Sequence, residues 1–259
     1  MVAMTHNDTA TIALITGANK GLGYETARAL AARGCTVLVG ARDPERGRAA
    51  AEKLAADGGD VRFVRLDVTD AATIAETAAY LEAEFGRLDI LVNNAAITGG
   101  FDTGLLPSTT SIDIMRTVYE TNVFGPVAVT NALLPLLRRA EAARIVNVSS
   151  EVGSVQLMND QDGPMWPMVS ITYPSSKTAL TMITTMYAKE LWDTPIKVNA
   201  ANPGYCATDL NNNSGFRTPE QGAEPIVHLA TLPADGPTGQ LWGYRWGATD
   251  GVEYGPLPW

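Results

Sequence analysis

The stretch Thr16-Gly17-Ala18-Asn19-Lys20-Gly21-Leu22-Gly23 constrains this chain more than any other. It follows an apolar run, residues 11–15, that reads as a buried strand, and it opens into residues 24–33, which read as a helix. Glycine takes positive φ and has no Cβ to hold a ligand off the backbone. A helix behind such a turn aims its free N–H groups and the positive end of its dipole at it. The turn therefore suits an anionic cofactor with a pyrophosphate. Its spacing is not G-x-G-x-x-G, because three residues separate Gly17 from Gly21 and one separates Gly21 from Gly23. Taken alone, the stretch leaves a ligand-free glycine turn open.

Strand and helix patterns then alternate. Residues 36–41, 61–66 and 88–92 read as strands, and 44–56 and 71–85 as helices. Further strands are expected at 144–148, 196–201 and 240–244, and helices at 112–137, 173–191 and 219–230. Strands joined by helical crossovers predict the α/β class: a doubly wound, Rossmann-type parallel sheet of about seven strands flanked by helices. Ligands of such sheets lie at the carboxyl ends of the strands, near the switch in strand order.

Bulk properties narrow the function. The 259 residues are 46% hydrophobic and 18% charged, which suits one globular domain over 11–259 behind a flexible tail at 1–10. A net charge of -9 argues against nucleic acid or an anionic membrane as partner. Two cysteines give no disulfide framework and fit a cytoplasmic setting. His6 and His228, the only histidines, give little support to a metal site. The first ten residues are too polar and short for a signal peptide, and no apolar run approaches membrane-spanning length.

Candidate site residues fall at strand ends. Arg42, after the second strand, is placed to accept a ribose 2′-phosphate, and Lys20 adds a second cation, which favours NADP(H) over NAD(H). The alternative is that Arg42 pairs with Asp43 or Glu45. Asp43 reads as a helix N-cap ahead of Pro44. Asp67 and Val68 end the third strand; Asp70 caps the next helix, leaving Asp67 free for an adenine amino group. Asn93 and Asn94 end the fourth strand and stabilise its turn, and Ala95 lets a cofactor lie close. Asn122 interrupts an apolar helix just before Gly125-Pro126, where a kink is expected, and its amide has structural or catalytic use. Ser149-Ser150 ends the fifth strand. Tyr173 and Lys177, four apart, share one helical face. A nearby ammonium lowers a tyrosine pKa, and a protonated phenol can donate to a carbonyl oxygen being reduced. Alone, this pair also matches a solvated surface pair. Pro203, Gly204, Cys206 and Thr208 follow the sixth strand and could wrap a nicotinamide; residues 211–217 read as a mobile lid. Trp242, Trp246 and Trp259 either cover the substrate or pack a sheet edge or an interface.

Together these stretches resemble the short-chain dehydrogenase/reductase family in its single-domain form. The matching residues are Thr16-Gly17-x-x-x-Gly21-x-Gly23, Asp67, Asn93-Asn94-Ala95, Asn122, Ser149-Ser150, Tyr173-x-x-x-Lys177 and Asn202-Pro203-Gly204. The wording of the glycine stretch is most similar to the NADPH-dependent carbonyl reductase branch. The resemblance implies Tyr173 as acid/base and Lys177 as the group that lowers its pKa and bonds the nicotinamide ribose. It implies Ser150 holding the substrate oxygen, and Asn122 supporting a water-linked proton relay to Lys177. It implies cofactor contacts from Gly17, Asn19, Lys20, Gly21, Leu22, Gly23, Arg42, Asp67, Val68, Asn93, Ala95, Tyr173, Lys177, Pro203, Gly204, Cys206 and Thr208, and no metal.

The chain departs from the family pattern in places. Ala96 stands where the family usually has glycine, a small change. The gap from Ser150 to Tyr173 is longer than usual and carries Met158, Trp166, Pro167 and Met168, which could wall a substrate pocket. A larger insertion here accompanies a monomeric state in the carbonyl reductase branch, so monomer and homo-oligomer both stay open. The expected function is NADPH-dependent, reversible reduction of a ketone or aldehyde. The alternatives are a non-enzymatic NADP(H)-binding sensor or scaffold, and a dehydratase or epimerase acting on a nucleotide sugar.

Overall fold

In the computed structural model, which describes residues 10–100, 106–246 and 254–259, the expected alternation is realised. In chain order it runs β1 (Ile12–Thr16), α1 (Gly21–Ala31), β2 (Thr36–Ala41), α2 (Pro44–Ala56), β3 (Val61–Arg65), α3 (Ala71–Phe85) and β4 (Ile90–Asn93). Next come α4 (Ile112–Tyr119), α5 (Gly125–Leu137), β5 (Arg144–Val148), α6 (Val155–Met158) and α7 (Thr172–Glu190). The chain closes with β6 (Lys197–Asn202), α8 (Pro219–Ala230), β7 (Leu241–Tyr244) and β8 (Tyr254–Leu257). The predicted tail lies outside the described residues apart from Ala10.

Every residue of β1, β2, β4 and β5 is buried, because helices cover both faces of the sheet. Successive side chains point to opposite faces. Ala13, Ile15, Val37 and Val39 join Ala27, Leu30, Leu54 and Ile226 in one core layer. Ile12, Leu14 and Leu38 join Leu81, Leu133 and Leu137 in the other. Burying each large aliphatic side chain contributes about 1.5–3 kcal/mol, so a charge at any of these positions would be severely destabilising.

The strand order is β3-β2-β1-β4-β5-β6-β7-β8. β1 pairs in parallel with both β2 and β4, in registers Ile12↔Thr36 and Ala13↔Ile90. The chain works outward from β1 to β3, then crosses to the other side of β1. That switch puts a crevice at the carboxyl ends of β1 and β4, between the glycine stretch and Asn94-Ala95.

The sequence reading missed one strand and one helical feature. Among the described residues the sheet has eight strands rather than about seven, because part of the aromatic tail pairs antiparallel with β7, Gly243 opposite Gly255. Pro256 is compatible with β8 because β8 is an edge strand. The long helix expected over 112–137 is α4 and α5 joined by a π turn, Glu120–Phe124, which contains Asn122. Pro126 has no N–H to donate to the Asn122 carbonyl, which loosens the ladder at that turn.

Candidate active site

The glycine stretch leaves β1 and starts α1 at Gly21, three positions earlier than expected. Gly17 and Gly21 take φ of 63° and 57°, which other residues rarely adopt. A Cβ on Gly17 would meet the Ala95 backbone at 3.0 Å, and one on Gly23 would meet Asn94 Nδ2 at 2.5 Å. Asn94 Nδ2 donates to the carbonyls of Thr16 (2.8 Å) and Gly17 (3.1 Å), while Thr16 Oγ1 accepts from Asn94 N and Ala95 N. The end of β4 thus clamps the glycine turn from below. Its upper side, at the N-terminus of an eleven-residue helix, is a backbone cradle that fits a pyrophosphate.

Asn93 is occupied differently. Its side chain is buried and donates to Thr130 Oγ1 and Asn147 Oδ1, and Asn147 in turn donates to Thr184 Oγ1. That chain ties β4 and β5 to α5 and α7, so Asn93 supports the sheet from within. Asp67 is not free either: its Oδ1 accepts from Thr69 N at 3.0 Å and Thr69 Oγ1 at 2.7 Å, holding its own turn. Asp43 and Asp70 are the N-caps expected of them. Val68 is buried and packs against Gly125.

At the other end of the crevice, β5 delivers two serines with different fates. Ser149 is buried and bonded to Thr181 Oγ1 and the Lys177 carbonyl. Ser150 is half-buried and its Oγ accepts only a long bond, 3.4 Å, from Val152 N, so its hydroxyl proton is available to a ligand. α7 brings Tyr173 and Lys177 together in its first turns. The Tyr173 hydroxyl has no hydrogen-bond partner among the described residues. Lys177 is 2% exposed; its Nζ donates to the Val148 carbonyl at 2.7 Å and lies 5.4 Å from the centre of the Tyr173 ring.

The electrostatics differ from the sequence expectation. Burial pushes the Tyr173 phenol above its usual range, with Cys206 adding to the rise. Burial also pushes the Lys177 ammonium down to about 7. An ammonium disfavoured by burial supplies less positive charge to its neighbour, which weakens the lowering expected of Lys177. Asn122 is fully buried. Its Oδ1 accepts from Ile97 N (2.9 Å), and its Nδ2 donates to Ile97 O (2.8 Å) and to Ser176 Oγ (3.0 Å), next to Lys177.

Asn202, at the end of β6, joins three strand ends. Its Oδ1 accepts from Glu151 N and Gly204 N, and its Nδ2 donates to the Tyr244 carbonyl. Pro203 and Gly204 (φ 72°) turn the chain across the crevice. Cys206 is buried with its thiol pushed up to about 11, so it is inert at neutral pH. The segment read as a mobile lid is fastened. Asn211 is buried and donates to the Cys206 carbonyl, and Arg217 exchanges backbone bonds with Tyr205 and Ala207. Its exposed residues are 212–214 and Phe216. Thr208 N donates to Asn211 Oδ1, fixing the 3₁₀ turn Asp209–Asn211.

The tryptophans divide between the two readings. Trp242 stacks on His228 at 4.2 Å and packs the sheet edge against Tyr254. Trp246 sits with Tyr205 and Phe216, ring centres 5.1–6.1 Å apart, over the strand ends. The main chain of Trp259 receives Gln156 N. Of the inserted segment's apolar residues, Met158 is half-buried, whereas Trp166, Pro167 and Met168 are exposed.

Beside the glycine turn lies a cleft of ≈ 600 Å³ bordered by Asn19, Lys20, Tyr24, Arg46, Lys53 and Asp209. Arg42 stands exposed at the end of β2 with no ion pair among the described residues, so the pairing with Asp43 or Glu45 is not made; Asp43 faces Arg46 instead, at 3.7 Å. Arg46 and Lys53 escaped the sequence reading because they look like solvent-facing helix residues. The available signal was position: Arg46 lies in the first turn of α2, four residues after Arg42. Leu22 packs into the core layer beneath α1. Glu151 also went unnoticed: it is 4% exposed, accepts from Trp246 N at 3.0 Å, and burial raises its carboxyl to about 7. No group of three or more His, Cys, Asp and Glu side chains among the described residues could hold a metal. None of the described helices is long and apolar enough to cross a membrane.

Comparison with known proteins gives a consistent result. The family model described as short chain dehydrogenase matches residues 11–217. The (+)-neomenthol dehydrogenase of Capsicum annuum is 31% identical, over 90% of this chain and 95% of that protein. Carbonyl reductase [NADPH] 3 of Mus musculus is 35% identical, over 89% and 95%. The structure of salutaridine reductase from Papaver somniferum superposes with a TM-score of 0.77 at 29% identity, covering 90% of this chain and 99% of that one.

Proposed function

The chain belongs to the short-chain dehydrogenase family of oxidoreductases, and from that premise we propose that it reversibly reduces a small ketone or aldehyde to an alcohol with NADP(H). The observation that carries this reading is the pairing at the start of α7: an unpartnered phenol on Tyr173 above the buried Nζ of Lys177, beside the half-free hydroxyl of Ser150. When bound, the nicotinamide supplies or accepts the hydride. The chain's own residues handle the proton. Ser150 donates a hydrogen bond to the substrate oxygen and orients it. Tyr173 gives that oxygen its phenolic proton during reduction and takes it back during oxidation. A phenol held protonated by burial suits the donor role at neutral pH. Lys177 replenishes the proton and holds the nicotinamide ribose. Asn122 is a positioning residue: it pins Ile97 and Ser176 and thereby fixes the turn of α7 that carries Lys177.

The turn from Gly17 to Gly23, including Asn19 and Leu22, would hold the cofactor's pyrophosphate, with Ala95 behind it. Arg42, Lys20 and Arg46 supply the charge for a 2′-phosphate. Asp67 and Val68 line the adenine end, and Pro203, Gly204, Cys206 and Thr208 the nicotinamide end. Asn93 acts from beneath, through the sheet. Two named relatives support the reading, since one is a dehydrogenase of neomenthol and the other a carbonyl reductase whose name specifies NADPH. A sensor or scaffold on the same fold is the weaker alternative, because Asn122, Ser150, Tyr173 and Lys177 are all present. We also propose that residues 11–259 act as one unit in the cytoplasm.

The test is titration of NADPH and NADH by fluorescence, with the native chain and with Arg42→Ala. Loss of a charge-assisted phosphate contact costs about 1.5–3 kcal/mol, so NADPH affinity should fall at least tenfold while NADH is unchanged. Equal affinity of the native chain for both cofactors would remove the NADP(H) assignment.

A further inference from the structure

The cleft beside the glycine turn already holds a carboxylate where its cations would meet a phosphate. Lys20, Arg46 and Lys53 border it, and Asp209 closes its rim. Lys20 Nζ and Asp209 Oδ2 are 2.6 Å apart although 189 positions separate them in sequence. The second acid on the border, Glu25, is already committed to Arg28 at 2.6 Å. Asp209 is not a wandering side chain. It opens a 3₁₀ turn whose last residue, Asn211, is buried and bonded to the Thr208 N–H and the Cys206 carbonyl. The fold therefore presents this carboxylate to Lys20 from a fixed base. Both side chains remain more than half exposed, so the pair is open to exchange with a ligand.

We propose that Asp209 is a built-in competitor for the phosphate cleft, which must release Lys20 before a 2′-phosphate can take it and which thereby sets how strongly the protein selects NADPH over NADH. This rests on the NADP(H) reading above. A phosphomonoester carries about −1.5 to −2 charges near neutral pH against −1 for a carboxylate, so the ligand wins Lys20, but only after the resident ion pair is broken. The same carboxylate repels the incoming dianion if it stays in place. NADH brings no 2′-phosphate to the cleft and leaves the pair intact.

The experiment is a double-mutant cycle of cofactor affinity, read by fluorescence on the full chain, with Asp209→Asn, Lys20→Ala and both together. Exposed ion pairs are worth little, so Asp209→Asn should tighten NADPH by about two- to five-fold and leave NADH unchanged. On the Lys20→Ala background the same substitution should have no effect. Weaker or unchanged NADPH binding by Asp209→Asn would overturn the proposal. So would a gain that appears equally for NADH or persists without Lys20, since either would mean a diffuse effect of net charge. If the native chain does not prefer NADPH at all, the cofactor assignment itself has failed, an outcome visible before any variant is made. Asp209→Ala, also a surface change, repeats the test should the asparagine keep a bond to Lys20.

Discussion

Replacing Asn122 by alanine should destabilise the protein as a whole, beyond any effect on turnover. Asn122 is fully buried in the π turn and satisfies both peptide groups of Ile97, accepting from its N–H at 2.9 Å and donating to its carbonyl at 2.8 Å. Truncation leaves a donor and an acceptor without partners, each costing about 1–3 kcal/mol where water cannot replace the lost bond. Ile97 is half-buried, so water relieves part of this. Ser176 keeps its 2.7 Å bond to the Tyr173 carbonyl and adds little. The sum is about 2–4 kcal/mol, which for a chain of this size corresponds to a fall in Tm of roughly 5–15 °C. Asn122→Asp should not rescue it, because a carboxylate turns an acceptor toward the Ile97 carbonyl. Urea and thermal unfolding of both variants, alongside NADPH oxidation with a ketone panel, are the assay. An Asn122→Ala protein within about 0.5 kcal/mol of the native chain but inactive would refute the reasoning: the amide would then serve a proton path alone.

Two further outcomes follow from the same geometry. A methyl group on Gly23 would meet Asn94 Nδ2 at 2.5 Å and the Gly17 carbonyl at 2.7 Å; Gly23→Ala should cost about 1–3 kcal/mol and weaken both cofactors, which unfolding and cofactor titration would register. Glu151, whose carboxyl is raised from 4.5 to about 7, holds a proton in the folded state that it lacks when unfolded between those pH values. Its contribution is therefore complete below pH 4.5 and lost as pH rises through about 7, amounting to about 3 kcal/mol. Glu151→Gln should flatten the pH dependence of unfolding in that window and stabilise the protein at pH 8; an unchanged slope would contradict the burial argument.

Local patterns in the sequence told most about this fold. β1, β2 and β4 are apolar enough to announce strands buried on both faces, and the glycine spacing marks the turn that follows the first of them. β8 escaped because Gly255 and Pro256 read as turn residues, and only pairing with β7 makes them a strand. The site divides in the same way. Tyr173 and Lys177 lie one helical turn apart, so their meeting is a local matter. The pairing of Lys20 with Asp209, and of Glu151 with the Trp246 main chain, joins segments far apart in sequence and depends on sheet order. Asp67 looked uncommitted because its partner, Thr69, is two residues away in a turn whose shape the sequence does not display. The electrostatics of α7 are less legible for a related reason: the spacing promises an ammonium near the phenol, but the burial that lowers the Lys177 pKa comes from the whole fold.

The central claim is that Tyr173 moves the proton while the rest of the crevice holds the cofactor. Its most direct test is Tyr173→Phe, which keeps the ring and removes only the hydroxyl. NADPH should bind with an affinity within about twofold of the native chain, and carbonyl-dependent NADPH oxidation should fall by about 10²-fold or more. Turnover by Tyr173→Phe within about tenfold of the native rate would contradict the account.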